Sequence, residues 1–399
     1  LFNNMGHWAA RTRFCEVVLN GGYQGVYVLC ESIKPDSNRV SINKLDTTEN
    51  TGYFKTGGYI IKNDYWSTTT SWLSNYHPVD HPTFDVHFVY QYPKPNNITD
   101  SQKVYIQGFV NQLETALYDS TFRDTLIGYK KYMGVGSFID YFIVNELSRN
   151  NDGFKKSVYF HKDKDDSVSI GKLKMGPAWD YNLAFWNANY CSGDLSTGWA
   201  YQFNNVCGTD SWQIPFWWDK LMQDPNYTNE LKCRWLQLRQ NVLSIPRLNS
   251  FIDSIASYLG EAEVRHFTRW PIIGVYTWPN PNPIPTSYAG EISAMKTWLT
   301  NRINWIDANL PGTCSIPTAA LTAMTSTSIC PGDSVRFDDI STVTVDSRLW
   351  NFPGGTPSTS TAGHPYITYN TPGSYSVTLV ASNAVGSDTI TMSNYVTVN

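Results

Sequence analysis

The sequence is poor in charged residues and has no strong excess of either sign. Asp, Glu, Lys and Arg make up 16% of its 399 residues, and the formal net charge at pH 7 is −4, whereas ordinary soluble domains carry about 25% charged residues. Without a basic surface, the chain is not expected to bind nucleic acid or an anionic membrane. It also lacks any apolar run near the roughly 20 residues that cross a bilayer, so no membrane span is expected.

The seven cysteines include no C-x-x-C pair, which argues against a zinc ribbon or a thioredoxin-type site. Cys15 and Cys30 flank the turn signal NGGYQG, and folding a hairpin about its centre places them opposite each other. Cys191 and Cys207 bracket a loop rich in Gly and Asn. Both pairs are predicted disulfides of an oxidising compartment, with buried free thiols as the alternative. Because seven is odd, one cysteine is expected to stay unpaired within the chain.

Aromatic residues, by contrast, are abundant. They form 15% of the chain, which excludes long disordered segments because disorder requires few aromatic residues and much charge. Together with the low charge and the many Asn, Ser, Thr and Gly residues, they favour a secreted or cell-surface protein. The sequence starts at Leu1 rather than at Met, and we expect a fragment or a processed product.

A change of composition near residue 312 divides the chain. Helical patterns and nearly all Trp residues lie before it, whereas short Ser-, Thr- and Val-rich strands alternate with Gly and Pro turns after it. We therefore predict an α+β domain over residues 1–311 and an all-β, immunoglobulin-like sandwich over residues 317–399. In the first domain, Ser137 is predicted to open a helix, with Asp140 completing a capping box.

The segment NELSRNNDGFKKSVYFHKDKDDSVSIGKLKMGPAWDYNLAF holds the most informative pattern. A helix ends near Asn150, Asp152 follows in a Gly-containing loop, and Asp180 comes just after the second strand of a hairpin. Since a hairpin returns its ends to the same side, both carboxylates are expected to face one cleft. This layout is that of a kinase catalytic core, in which the first Asp orients the acceptor hydroxyl and the second holds Mg²⁺.

A cation on the nucleotide phosphates would complete such a site. Lys62 in GGYIIKND is the best candidate because it stands on a strand after a Gly pair, and Glu31 is a candidate to pair with it. The plainer alternatives are that Asp152 and Asp180 satisfy turns and backbone donors, and that Glu31 forms a surface ion pair. A glycosidase using the two aspartates is a further alternative, and would need carboxylates about 5–9 Å apart.

Four segments in order resemble the CotH family of secreted, atypical protein kinases: RTRFCEVVLNGGYQGVYVLCESIKPDSNRVSINKL, TGGYIIKND, NELSRNND and KMGPAWDYNLAFWNANY. The resemblance covers residues 1–311 and implies an atypical protein-kinase-like fold. It further implies transfer of the ATP γ-phosphoryl group, with Mg²⁺ or Mn²⁺, to Ser or Thr of extracellular or coat proteins. By this resemblance Asp152 would be catalytic and Asp180 would bind the metal. WNFPGGTPSTS and TYNTPGSYSVTLVASNAVGSDT are similar to a PKD domain, an immunoglobulin-like module of secreted proteins.

The sequence departs from the family pattern at three places. The strand region with a GNSS-like motif that opens the family's domain is missing, so the first lobe is expected to be truncated. Ser157 stands where kinase catalytic loops carry an Asn ligand for a second metal ion. Tyr181 and Asn182 follow Asp180 where many relatives have a second Asp, and Asn182 is predicted to offer its amide oxygen to the metal. The alternative function is a pseudokinase: a non-catalytic surface or adhesion protein that binds protein or glycan, with glycan contact through the C-terminal module.

Overall fold

The structure, a computed structural model, describes residues 1–166 and 169–399. The chain divides into two compact units, one of Leu1–Asp224 with Val242–Leu310 and one of Pro225–Asn241 with Pro311–Asn399. The described residues form six α-helices: α1 Asp100–Tyr118, α2 Val135–Ser148, α3 Trp217–Met222, α4 Pro225–Arg239, α5 Ile245–Arg269 and α6 Tyr288–Asn309. None of the helices in these two ranges combines the length and the apolar character needed to cross a membrane.

The first unit is α+β, as predicted, with two separate antiparallel sheets. Its strands in the described ranges are β1 Thr12–Leu19, β2 Gly22–Cys30, β3 Tyr59–Asn63, β4 Ser71–Leu73, β5 His87–Tyr92, β6 Val158–Lys162 and β7 Leu173–Met175. Among the described residues, β1 and β2 pair only with each other, and the other strands form a sheet in the order β4-β5-β3-β6-β7. Because β3 is central, its apolar run Tyr59–Ile61 is buried on both faces.

The core of the first unit lies between this five-stranded sheet and the helices. The Trp217 ring of α3 lies 5.7 Å from Phe88 of β5 and 5.5 Å from Phe160 of β6. On its other side it meets Phe138 of α2 at 6.2 Å between ring centroids. Burying such large aromatic side chains stabilises the unit by roughly 1.5–3 kcal/mol each, and it fixes α2 beside the strands that carry the candidate site.

The predicted capping box at the start of α2 is wrong. The helix begins at Val135 after Gly134, and no side chain caps it. Ser137 instead donates to the Gly134 carbonyl at 2.7 Å and accepts from the Met175 backbone at 3.0 Å. Asp140 instead contacts His7, whose ring nitrogen lies 2.7 Å from its carboxylate. The local pattern failed because tertiary partners compete for both side chains.

The predicted disulfide between Cys15 and Cys30 is also wrong, because both are free and exposed. The hairpin turns at Asn20 and Gly21, whose φ values of 50° and 77° suit a two-residue turn. Cys15 therefore lies opposite Tyr27. Since side chains alternate between the faces of a strand, Cys30 projects from the face opposite to that of Cys15.

Two disulfides do form in the chain. Cys191 and Cys207 are bonded, which confirms the second predicted pair. Cys233 is bonded to Cys314, a pair that the sequence did not indicate. This bond, together with the Asn229 side chain accepting from Thr313, ties α4 to the segment that leads into the C-terminal strands. The second unit consequently includes Pro225–Asn241, which the predicted boundaries place in the first domain.

The second unit carries an all-β sandwich, as predicted. Its strands are β8 Leu321–Ala323, β9 Ser328–Ile329, β10 Ser334–Asp339, β11 Ser347–Asn351, β12 Gly355–Thr356, β13 Thr359–Ser360, β14 Tyr366–Tyr369, β15 Gly373–Asn383 and β16 Gly386–Val398. One sheet has the order β12-β14-β10-β8 and the other β13-β11-β15-β16-β9. Alternate residues of both sheets form its core, where Phe352 stacks on Trp350 and packs against Phe337.

Candidate active site

Asp152 lies in a tight loop directly after α2. The helix ends at Ser148, Arg149 follows with a left-handed φ of 46°, and the next two residues are buried asparagines. The Asp152 carbonyl accepts backbone hydrogen bonds from Lys155 at 2.9 Å and Lys156 at 2.8 Å. At Gly153 any Cβ would lie 2.0 Å from the Asn145 side-chain oxygen. The loop is therefore fixed by its own backbone and by a glycine that no other residue can replace without a shift.

Asp180 is brought to the same place by the hairpin of β6 and β7. Its backbone has a φ of 63°, and its exposed carboxylate accepts a hydrogen bond from the Ser157 hydroxyl at 3.2 Å. The Asn150 amide reaches the Asp180 carbonyl at 3.5 Å, and the Asn150 side-chain oxygen accepts from the Asp152 backbone at 3.2 Å. One asparagine thus links the loops of both aspartates.

The two carboxylates interact electrostatically. Burial raises the pKa of Asp152 above its usual range, and the charges of Asp180 and Asp210 raise it further. The ammonium groups of Lys155 and Lys156 act in the opposite direction. A carboxylate with a raised pKa is a better proton acceptor, which suits a group placed to meet a hydroxyl.

Lys62 lies on the central strand β3, opposite Tyr159 of β6. Its ammonium group is 2.8 Å from the Asp64 carboxylate and 5.7 Å from the centre of the Tyr159 ring. Burial raises the pKa of Tyr159, and the charges of Asp64 and Asp180 contribute to this shift. Since Ser157 immediately precedes β6, Lys62 lies on the strand adjoining the Ser157–Asp180 contact.

The proposed pairing of Glu31 with Lys62 is not found. Glu31 binds Arg11 through two side-chain hydrogen bonds of 2.6 and 2.9 Å, and Arg39 lies 3.5 Å away. The hydrogen bonds from Arg11 lower the pKa of Glu31 to about 2. The physical reason is topological: Glu31 follows β2, whose hairpin does not join the sheet that contains β3.

Asn182 is exposed in the loop after Asp180, and its carbonyl accepts from the Asn187 side chain at 2.8 Å. Its role as a metal ligand stays a prediction. Within residues 1–166 and 169–399, no group of three or more His, Cys, Asp or Glu side chains could hold a metal ion by itself. Mg²⁺ commonly binds one or two carboxylates together with substrate phosphates. The exposed Asp180 carboxylate and the neighbouring Ser157 hydroxyl fit that mode, because their oxygen atoms could bind one side of the ion while substrate phosphates bind the other.

A buried ion pair that the sequence analysis missed supports the Asp152 loop. The Lys155 side chain is 2% exposed, and its ammonium group lies 2.5 Å from Asp210. The same Asp210 oxygen accepts from the Tyr190 hydroxyl at 2.5 Å. Burial alone would raise the pKa of Asp210, but the hydrogen bonds from Lys155 and Tyr190 hold it below its ordinary value.

The Cys191–Cys207 disulfide explains how these groups meet. Tyr190 directly precedes the first cysteine and Asp210 follows the second by three residues, so the bond joins the two chain segments that carry them. The Asn151 amide also donates to the Tyr190 carbonyl at 2.7 Å, which joins the first of these segments to the end of α2. The predicted disulfide was therefore the sequence signal for Tyr190 and Asp210.

Lys156 projects toward the surface between two aromatic rings. Its ammonium group donates to the Tyr65 hydroxyl at 3.0 Å and lies 4.3 Å from that ring's centre. It is also 5.9 Å from the centre of the Trp212 ring. Burial alone would lower the pKa of Lys156, but the Tyr65 hydrogen bond and the charge of Asp152 raise it, so the cation is retained beside Asp152.

Comparisons with known proteins identify two domains in the chain. Residues 1–306 match the family model described as CotH kinase protein, and residues 319–396 match the PKD domain. The C-terminal part is similar to the PKD1 domain of the Vibrio cholerae metalloprotease PrtV, with 31% identity over 21% of this chain and 99% of that chain, and a TM-score of 0.18. It is also similar to the PKD1 domain of Vibrio anguillarum Epp, with 25% identity over 21% of this chain and 98% of that chain, and a TM-score of 0.18. Comparison with curated proteins finds no match. Because the first model spans most of the sequence, the chain belongs to the CotH kinase protein family, and a PKD domain follows its family domain.

Proposed function

We propose that the chain is a secreted or cell-surface protein kinase that transfers the γ-phosphoryl group of ATP to Ser or Thr of an extracellular or coat protein. The observation that carries the proposal is the convergence of Asp152 and Asp180, whose loops share Asn150 and whose charges affect each other. Family membership supports the same chemistry. The two disulfides are typical of proteins from oxidising compartments.

In this proposal Asp152 meets the acceptor. Its carboxylate accepts the hydrogen bond of the Ser or Thr hydroxyl and orients the oxygen toward the γ-phosphorus. The bond from that oxygen to phosphorus forms while the bond to the β,γ-bridging oxygen breaks, so ADP leaves with the electron pair. The hydroxyl proton passes to Asp152, whose raised pKa suits this role.

Asp180 and Lys62 act on the phosphates. Asp180, with the Ser157 hydroxyl beside it, would hold Mg²⁺ or Mn²⁺, which supplies charge neutralisation when bound. Lys62 adds a positive charge from the central strand, where Asp64 holds its ammonium group. The protein's contribution is mainly positioning and electrostatic stabilisation.

A non-catalytic pseudokinase is the second candidate, and specific observations favour it. Ser157 offers a hydroxyl where kinases use an amide oxygen for a second metal ion, and Lys62 is already paired with Asp64. The appended PKD domain suits a surface protein that binds protein or glycan. In that case the scaffold would act through its surface.

The test is ATP binding by calorimetry and phosphoryl transfer from radiolabelled ATP, each with and without Mg²⁺ or Mn²⁺. We expect metal-dependent binding in the wild type, its loss in Asp180→Asn, and at least a roughly hundredfold lower transfer rate in Asp152→Asn. Asp100→Asn is the matched control, because the Asp100 side chain is 97% exposed on α1. Wild-type rates in Asp180→Asn would refute the assignment, and absence of ATP binding in the wild type would favour the pseudokinase.

A further inference from the structure

Four aromatic side chains are connected to the Asp152 loop, three through its lysines and the fourth through a ring contact. They are Tyr65, Trp212, Tyr190 and Trp278, and we call them the aromatic arc. Tyr65 meets Trp212 edge-on at 5.7 Å, and Tyr190 lies 6.3 Å from Trp278. Asp210 joins the two halves, since it accepts from the Tyr190 hydroxyl and from the Trp212 backbone at 3.3 Å.

The aromatic arc is attached directly to the candidate catalytic loop. Lys156 lies over Tyr65 and Trp212, and Lys155 lies 5.4 Å from the centre of the Tyr190 ring. Both lysines follow Asp152 closely and influence its pKa. The arc is therefore held by two lysines of the loop that carries the Asp152 carboxylate.

The ends of the arc are open to solvent although they are large and apolar. Tyr65 is 72% exposed and Trp278 is 68% exposed. Trp278 is held by its neighbour, because the Pro279 carbonyl accepts from the Asn189 backbone at 2.8 Å, next to Tyr190. Exposed aromatic residues that are clustered and held in place mark an interaction site more often than scattered ones do.

Charge beside the arc argues against an acidic ligand. Four carboxylates lie around it: Asp64, Asp152, Asp180 and Asp210. The nearby cations are engaged, because Lys155 pairs with Asp210, Lys62 pairs with Asp64, and Lys156 bonds Tyr65 beside Asp152. An acidic segment would be repelled, whereas an uncharged one would not.

We propose that the aromatic arc is the acceptor-binding surface of this site, and that it selects extended, uncharged peptide segments with aromatic side chains next to the Ser or Thr. This inference rests on the proposed kinase function for its catalytic consequence. Rings of the peptide would pack on Trp278 at one end and on Tyr65 at the other, with the hydroxyl between them near Asp152. Packed pairs of aromatic rings stabilise a complex by more than the burial of their apolar surface area would give.

A peptide fits this surface better than a sugar. Sugar hydroxyls that lose water need hydrogen-bonding partners in exchange. In the part of the chain that the structure describes, Asp210 already bonds Lys155 and Tyr190, and Lys156 bonds Tyr65. The exposed ends of the arc at Tyr65 and Trp278 present mainly ring surface, which suits aromatic side chains.

The experiment uses fluorescently labelled peptides with one central Ser, flanked on both sides by Trp, Ala or Asp. Binding to the full chain is measured by anisotropy without nucleotide, and KM is measured in the transfer assay. We expect the Trp-flanked peptide to bind about tenfold more tightly than the Ala-flanked one, with the Asp-flanked peptide weakest. Trp278→Ala and Tyr65→Ala should each weaken the Trp-flanked peptide about fivefold and leave the Ala-flanked peptide unchanged.

Two further variants separate ring packing from other effects. Tyr65→Phe keeps the ring and should bind the Trp-flanked peptide nearly as the wild type does. Tyr258→Ala removes an aromatic residue of α5 that is also 68% exposed, and should have no effect. Transfer to the Ala-flanked peptide should stay the same in Tyr258→Ala, which checks that the protein is intact.

Several results would overturn the proposal. Equal binding of the three peptides would do so, as would an effect of Trp278→Ala no larger than that of Tyr258→Ala. Tighter binding of a neutral oligosaccharide, lost in Trp278→Ala, would make the arc a glycan-binding surface instead. Absence of phosphoryl transfer in the wild type would refute the proposed function, whereas the anisotropy measurement needs no catalysis and decides the role of the arc by itself.

Discussion

Replacing Glu114 with Gln is expected to stabilise the first unit at pH 8 and to leave its stability nearly unchanged at pH 5. Glu114 lies on α1 and is fully buried. Its carboxylate accepts from the Ser74 hydroxyl at 2.8 Å and from the Trp217 indole at 2.9 Å. Burial raises the pKa of Glu114 from 4.5 to about 7, and these hydrogen bonds offset only part of the rise.

The sign of the effect follows from proton binding. Between pH 4.5 and 7 the folded chain keeps a proton on Glu114 that the unfolded chain has released. The stability present below pH 4.5 is therefore lost as the pH rises through about 7. At roughly 1.4 kcal/mol per unit of pKa shift, this loss reaches about 3 kcal/mol at pH 8.

The assay is urea unfolding followed by Trp fluorescence at pH 5 and pH 8. In Glu114→Gln the new side chain would still accept from the Trp217 indole through its carbonyl oxygen, and its amide would donate to the Ser74 hydroxyl. The free energy of unfolding of Glu114→Gln should exceed that of the wild type by about 3 kcal/mol at pH 8. Glu261→Gln, at a side chain that is 93% exposed, is the control and should show no such difference. A pH-independent difference between Glu114→Gln and wild type would refute the reasoning, because it would mean that Glu114 keeps an ordinary pKa.

Other predictions concern buried groups elsewhere in the first unit. Burial lowers the pKa of His161 from 6.5 to about 4. Acidification from pH 6.5 to 4 should therefore lower the free energy of unfolding of the wild type by about 3 kcal/mol more than that of His161→Gln. Equal loss of stability in the two proteins, measured by urea unfolding, would contradict this. Arg302→Leu should cost about 3–5 kcal/mol in thermal unfolding, because it leaves the Glu146 carboxylate, 2.8 Å away, buried without its partner. Adding Glu146→Leu should restore part of that loss, and no recovery would argue against an ion-pair role. Replacing Cys191 and Cys207 with Ser should cost about 3 kcal/mol and slow the proposed phosphoryl transfer, and an unchanged melting temperature would count against this.

The sequence predicted what depends on local pattern and on the return of a hairpin. Asp152 and Asp180 were placed together because β6 and β7 bring the chain back beside the end of α2, and the contact through Asn150 follows. The α+β and all-β parts were predicted from amino-acid composition and from the alternation of apolar and polar residues. These signals succeed because they are repeated over many residues.

The failed predictions each depended on register or on distant partners. A shift of the turn to Asn20 and Gly21, with a bulge at Val17, separates Cys15 from Cys30. Glu31 follows β2, which belongs to a different sheet from β3, the strand that carries Lys62. No local sequence motif indicates which sheet a strand will join. The buried pair of Lys155 and Asp210 joins residues far apart in sequence, and neither residue has a local pattern that marks it as buried.

The Cys191–Cys207 bond also bears on when the proposed catalytic site can form. The bond joins the two segments that carry Tyr190 and Asp210; Asp210 pairs with Lys155, and Lys155 lies in the Asp152 loop. A chain made in a reducing compartment would lack this bond, so the support of its carboxylate would be incomplete during synthesis. Oxidation would then complete the proposed site, and recombinant protein made without the bond should show less of the proposed phosphoryl transfer than the oxidised protein.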